Sequence, residues 1–504
     1  MKRTLITALL ILAAGFGTAG MAADKNAPDE QYYPELQNDK DMRQIQTGKD
    51  MLSSGVSYGA WITPVIIYQE TPQVSQLSML SPVIIFKNDT LTTSVTTFRL
   101  WFKTYLWENS YLYVRGKDTY TAVIDHSGPS KVKDKNILDL DLGFIAMATK
   151  RKDVDFTVGR KYFIIGSCLV FDGRGDGAEF NYHSKYIDIK ALGVWTGWLV
   201  KDDNPYGLSD RDIATGAKRL FAGGTLSTSW FNQTLYAFSI AQFDFGKEYY
   251  NRDYKHLFAL ASPPLDAGYS YYARRSRYES QYYGTGIQGI IISGLDYSGE
   301  FIVEQGRSYL TNYSVKKDIV AYAGQFKLSY YFDVLLKPVI MAQYAFGSGD
   351  LNRRDYRNPN GNGWGKDRGF LYFGTFVGGY ALKPLLANLH MISGSVAFSP
   401  FSWSKIYSLN NMTVTAKYMY YLKYRTGSPI NYGLDATKPN RDIGQGMDLT
   451  LRWLIFSDFS FFLNYGLFVP GKAFGYYYDY LLATWTYSSK SYRHFMMGGF
   501  NITF

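Results

Sequence analysis

Chemistry-bearing side chains are present in this 504-residue chain, but not at the spacings that catalysis uses. None of the five histidines, His126, His183, His256, His390 and His494, stands beside a serine in a recognisable nucleophile context, and no HExxH string occurs. The one cysteine, Cys168, cannot build a disulfide framework or a cysteine-based metal site. Its surroundings (IIGSCLVF) suit a buried or lipid-facing small residue rather than a reactive thiol. The Gly-rich run Asp172–Gly177 (DGRGDG) lacks the Lys-Ser/Thr of a phosphate loop. Oxygen ligands at Asp350 and Asn352 have the alternate spacing of a calcium loop, but Arg353 and Arg354 stand where such a loop wants acids. The expectation is a protein that is not an enzyme and carries no cofactor or resident metal.

What the charged residues offer instead is electrostatic selection. Bases recur at alternate positions of extended segments: Arg99 and Lys103, Arg115 and Lys117, then Lys190, Lys327, Lys417, Lys423, Arg425 and Arg452, with Arg160 in a Gly-Arg pair. Acids expected on the same face are Asp139, Asp141, Glu179, Asp296, Glu300, Glu304 and Asp448. Rings of such side chains let a wide pore discriminate between anions and cations, because low-dielectric walls concentrate their field. Guanidinium groups suit carboxylates, to which they donate two parallel hydrogen bonds. Charges of both signs also line any water-filled barrel and pair across strands, so each residue has an ordinary structural reading too.

These residues need strands to position them, and the composition agrees. Apolar residues make 46% and charged residues 19%, with mean hydropathy −0.19, which excludes a bundle of membrane helices. The 17% aromatic content excludes disorder. Lys2 and Arg3, an apolar run from Leu5 to Phe16 and small residues up to Ala22 have the layout of a secretory signal over 1–22, whose removal leaves a net charge of +8. Residues 23–50 read as a polar periplasmic segment, and 51–504 as one barrel domain. In that domain Phe326, Leu328, Tyr330 and Phe332 alternate with Gln325, Lys327, Ser329 and Tyr331. Met447, Leu449, Leu451 and Trp453 alternate with Asp448, Thr450 and Arg452. Leu138, Leu140, Leu142, Phe144 and Ala146 are expected on one face, with Asp139 and Asp141 on the other. Period-two alternation sets one face against an apolar phase and the other against water.

A soluble sandwich would alternate as well. Short turns (Lys150–Asp153, Ser457–Asp458), a long charged loop (Ser348–Gly369) and a last strand ending in Phe504 point to a transmembrane antiparallel barrel, all β, with short periplasmic turns and long extracellular loops. At about 25 residues per strand and connection, the domain holds about 18 strands, within 16–20. Such a barrel leaves a lumen.

Several stretches resemble the alginate-export family of outer-membrane porins. They are Phe156–Tyr162 (FTVGRKY), Val170–Tyr182 (VFDGRGDGAEFNY), Leu295–Gly306 (LDYSGEFIVEQG), Pro338–Asp350 (PVIMAQYAFGSGD), Gly446–Leu449 (GMDL) and Tyr465–Gly471 (YGLFVPG). The resemblance implies an 18-stranded monomeric export porin of the outer membrane, with a basic lumen that passes an anionic uronate polymer alongside a periplasmic secretion complex. Expected partners are outer-membrane lipid, lipopolysaccharide and acidic polysaccharide or small anions, and no nucleic acid. A general diffusion porin and a sheath around a periplasmic or electron-carrying partner stay open.

Overall fold

The computed structural model describes residues 56–71, 74–77, 89–127, 132–151, 153–208, 210–247, 277–309, 316–351, 365–428, 440–473, 476–479, 484–488 and 492–504. The expected signal, the segment 23–50 and the centre of the charged loop (352–364) lie outside them. Eighteen strands form one sheet: β1 (Val56–Thr71), β2 (Asp89–Trp107), β3 (Ser110–His126), β4 (Lys135–Ala148), β5 (Val154–Ile165), β6 (Phe171–His183), β7 (Asp188–Trp195), β8 (Arg219–Trp230) and β9 (Gln233–Asp244) make the first half. The second half is β10 (Tyr278–Ile292), β11 (Leu295–Tyr309), β12 (Lys316–Tyr331), β13 (Val339–Gly347), β14 (Leu389–Phe398), β15 (Met412–Lys423), β16 (Asp442–Phe456), β17 (Phe459–Pro470) and β18 (Arg493–Thr503).

Every strand pairs antiparallel with its chain neighbours, and β1 closes the ring on β18 with Val65 opposite Gly499 and Ile67 opposite Met497. Closure leaves the eighteen-stranded sheet without an open edge, which a lipid-facing wall requires. The end of the barrel that holds Val56 and Phe504 has tight connections, such as Glu108–Asn109, Phe231–Asn232 and Ser457–Asp458. The opposite end carries the long ones, including 196–218 and 348–388.

The outer face is apolar. Leu100, Phe102, Leu140, Leu226, Ile290, Phe301, Phe326, Ile392, Met447, Leu449 and Met496 all point away from the lumen and are exposed. Tyr105, Trp107, Trp230, Phe231, Trp403 and Phe504 crowd the tight-turn end, the aromatic level expected where a bilayer meets water.

One alternation read from the sequence is corrected. Asp141 is an extra residue in β4, skipped between the pairs Arg115–Leu142 and Gly116–Leu140. This bulge flips the register. Leu138 and Leu140 therefore face outward, whereas Leu142 and Phe144 turn inward and join Trp61, Trp101 and Tyr113 in an aromatic cluster. The same bulge leaves both Asp139 and Asp141 inside.

An 18-strand lumen is too wide for wall side chains to meet across it. Chain segments fold in and fill its long-loop half. The large core joins inward wall residues, such as Phe163, Phe238, Tyr282, Ile302, Met391 and Tyr421, to Leu169, Tyr206, Phe370, Phe373, Phe376 and Leu386 from three connections. The wall residues of this core lie between mid-strand and the long-loop end of their strands. Cys168 is thus neither deep in the wall nor lipid-facing: it sits half-buried at φ 74° in the β5–β6 turn, inside the barrel.

The two faces of β8 give a direct test of the wall. Leu226→Arg, on the lipid face, is expected to cost about 2–4 kcal/mol of unfolding free energy, whereas Ser227→Arg, facing the lumen, costs under about 1 kcal/mol. Urea titration of the barrel refolded in lipid vesicles reads both.

Candidate functional site: the charged wall and the inward segments

Arginines of β2, β3, β5 and β6 converge on two aspartates of β4. Asp141, fully buried, receives Arg115 Nε at 2.6 Å and Arg174 Nη1 at 3.0 Å, with Arg99 Nε at 3.5 Å. Asp139 takes Arg174 Nη2 at 2.8 Å and Arg160 Nη1 at 3.2 Å. Arg160 also forks onto Asp176 at 2.8 and 2.9 Å and donates to the Trp198 carbonyl at 2.9 Å. Arg99 and Arg115 lie over the Trp61 ring at 5.9 and 5.2 Å. Buried cations are tolerable only when paired and hydrogen-bonded, and each guanidinium here has a carboxylate.

The connection 196–218 completes this network from the lumen side. Asp203 accepts from Lys117 Nζ at 2.8 Å and from Arg174, while Lys135 Nζ reaches the Asp202 carbonyl at 2.9 Å. Burial works against ionisation of Asp203, but Lys117 and Arg174 outweigh it and hold the carboxyl below its usual range. Farther along the connection, Asp212 pairs with Arg219 at 2.5 Å.

Inward acids elsewhere hold backbone. Glu300 accepts the Ser167 N–H at 2.8 Å, its hydroxyl at 2.5 Å and the Tyr236 hydroxyl at 2.7 Å, fixing the β5–β6 turn to the β11 wall. Glu304 accepts the Leu371 N–H at 2.9 Å and the Tyr278 and Tyr282 hydroxyls. Asp448 accepts the Tyr380 N–H at 3.2 Å on both oxygens. Lys383 reaches Gln69 on β1 at 2.9 Å, and Phe373 and Thr375 donate to the carbonyls of Val170 and Cys168. Residues 365–388 therefore touch the wall at β1, β11 and β16 as well as the β5–β6 turn, and so cross the lumen.

All ten bases and acids singled out as pore-lining fall in the described residues, but not in one site. Arg99, Arg115 and Arg160 belong to the paired network, together with Arg174 and Asp203, which no sequence pattern singled out. Glu179 binds Lys161 at 2.9 Å beside Lys190. Lys417 stands opposite Asp448 in the β15–β16 ladder, within electrostatic reach of Lys327. Lys327 and Arg452 are exposed on the inner face toward the tight-turn end. Lys103 lies over the rings of Tyr105 and Tyr111 at 5.0 and 4.6 Å. Arg425 is beyond β15, its backbone held by Asn388. The missed signal for the inward segment was the run 369–387 (GFLYFGTFVGGYALKPLLA), too apolar for a loop in water. One nucleophile-like string does occur, GVSYG at 55–59. Its Ser57 lies in extended β1 opposite Lys103, not on the strand–turn–helix elbow that such a serine needs.

The alginate export family model matches residues 246–479, somewhat under half the chain, and contains four of the six stretches that carry the resemblance. The 18-stranded barrel fits that family. No curated protein matches the sequence. Among solved structures, Pseudomonas aeruginosa OpdL is similar at TM-score 0.50 and 9% identity, over 89% of this chain and 99% of that one. Pseudomonas aeruginosa OccK2 (OpdF) follows at 0.49 and 10%, over 89% and 98%, and the outer membrane protein OprD of the same organism at 0.48 and 10%, over 88% and 94%. At 9% identity the likeness to OpdL speaks to fold alone: a porin-type barrel.

Removing one charge tests the network. Asp141→Asn removes the charge that Arg99, Arg115 and Arg174 share, and is expected to cost about 3–5 kcal/mol. A lowered urea midpoint of the refolded barrel is the readout.

Proposed function

We propose that this chain is an outer-membrane transport channel for anionic solutes, with acidic, uronate-type oligo- or polysaccharide as its substrate class. The observation that carries the reading is the distribution of inward bases. Lys190, Lys327, Lys417 and Arg452 face the part of the lumen that no apolar core fills. A low-dielectric wall focuses their field on the water between them and raises the local anion concentration. Farther out, the passage narrows against residues 365–388, so solutes meet the guanidinium-rich wall of β2–β6 beside the Asp203 connection. Fork-shaped donors there favour carboxylates over halide ions. The partial match to the alginate-export family supports the same substrate class. Working as a monomer beside a periplasmic secretion complex, under a lipopolysaccharide leaflet, belongs to the same proposal.

One observation favours a second reading, the sheath or scaffold barrel. The long-loop half is packed as a protein core, and a barrel that stays so packed conducts little. A general diffusion porin fits this packing less well.

Planar-bilayer recording separates the readings. Under a salt gradient, the reversal potential is expected to show anion preference, with current blocked by oligogalacturonate and not by neutral maltotriose. In the Lys327→Glu/Arg452→Glu variant the anion preference is expected to fall roughly tenfold. A cation-selective or silent wild-type barrel overturns the channel reading.

A further inference from the structure

We infer that Lys117 and Arg174 form a carboxylate-binding seat in the lumen wall, which Asp203 of the inward connection occupies as an internal stand-in for an acidic ligand. This rests on the anion-channel reading and assigns its first binding step to a place.

The seat is built from buried parts. Lys117 and Arg174 are 4% and 6% exposed, and both belong to the rigid ladder of β3 and β6. Arg174 is steadied from behind by Asp139 at 2.8 Å and Asp141 at 3.0 Å, so its remaining direction of approach is toward the lumen. There the carboxylate of Asp203 meets it, and the same oxygen takes Lys117 at 2.8 Å. Asp203 comes from a different kind of element. It ends a single 3₁₀ turn, Lys201–Asp203, in a connection, and it is more exposed than its partners, at 16%. Lys135 at the rim of β4 holds the adjacent Asp202 carbonyl, which aims the turn at the wall.

Charge supplies the driving force. Around Asp139 and Asp141 the cluster holds Arg99, Arg115, Lys117, Arg160 and Arg174, against Asp139, Asp141, Asp176 and Asp203. Withdrawing Asp203 leaves the five bases of this cluster with three acids, a charge imbalance that is costly unless another carboxylate replaces it. A uronate carboxylate has the same charge and the same planar, two-oxygen shape. An entering acidic sugar therefore exchanges for Asp203, and the turn Lys201–Asp203 moves off the wall as it binds. A neutral sugar has no means of making that exchange.

The test uses the full barrel, refolded and checked for fold by its heat-dependent gel mobility. Current block by glucuronate is compared for wild type, Asp203→Asn and Asp203→Glu, with glucose as control. Removing the internal competitor is expected to lower the half-blocking glucuronate concentration about tenfold in Asp203→Asn, while Asp203→Glu stays near wild type and glucose blocks neither. A spin label at position 201 should gain mobility when glucuronate is added to wild type and be mobile from the start in Asp203→Asn. Glucuronate block in wild type that is unchanged or weaker in Asp203→Asn, with an immobile label throughout, overturns the seat and leaves the channel reading standing. Absence of anion preference and of glucuronate block in every form overturns both.

Discussion

Backbone groups facing lipid have no solvent to bond with, and everything else in this protein follows from satisfying them. The only arrangement open to a chain without spanning helices among its described residues is a sheet that closes on itself, and β1 paired to both β2 and β18 does so. Closure with eighteen strands fixes a width that wall side chains cannot fill. The chain then has to furnish the lumen from its own connections, and those connections bring their own unsatisfied N–H groups inside. Glu300, Glu304 and Asp448 exist on the inner face as acceptors for Ser167, Leu371 and Tyr380. The wall and its contents are one hydrogen-bonding problem solved from two sides.

The charged wall of β2–β6 extends the same logic to cations. Five bases packed within a few strands would repel one another and lose their hydration, so they persist because Asp139, Asp141, Asp176 and Asp203 interleave with them. Three of these acids sit on strands and are fixed. The fourth sits on a short turn, which makes the wall's charge balance depend on where a connection lies. In the proposed anion channel, structural stability and solute recognition draw on the same guanidinium groups, the reverse of a pore whose selective charges stand free in water.

The barrel was legible because its two faces meet different phases, which writes a period of two into segments such as Gln325–Phe332 and Met447–Trp453. The inward position of most charges followed from that period, and the strand number from the domain's length at about 25 residues per strand and connection. The bulge at Asp141 was not legible, since Leu138–Ala146 alternates apolar residues straight through it and only the pairing with β3 reveals the skipped residue. The roles of Glu300, Glu304 and Asp448 were hidden for another reason: their partners are N–H groups distant in the chain, which no local pattern announces. Arg174 lay in a glycine-rich run that fails as a phosphate loop, and Asp203 in a connection with no periodicity at all. The apolar stretch 369–387 carried the signal for an inward segment, because such a loop in water would expose a large apolar surface.

Carboxylates on the wall set the width of the passage by holding connections across it. Single-channel conductance of the Glu300→Gln/Glu304→Gln barrel, against wild type at the same salt, measures this most directly. Loosening the β5–β6 turn and residues 365–388 together predicts a conductance several-fold higher, with flicker from the freed segments, while the folded barrel persists. A folded variant barrel with wild-type conductance and quiet open current would contradict it.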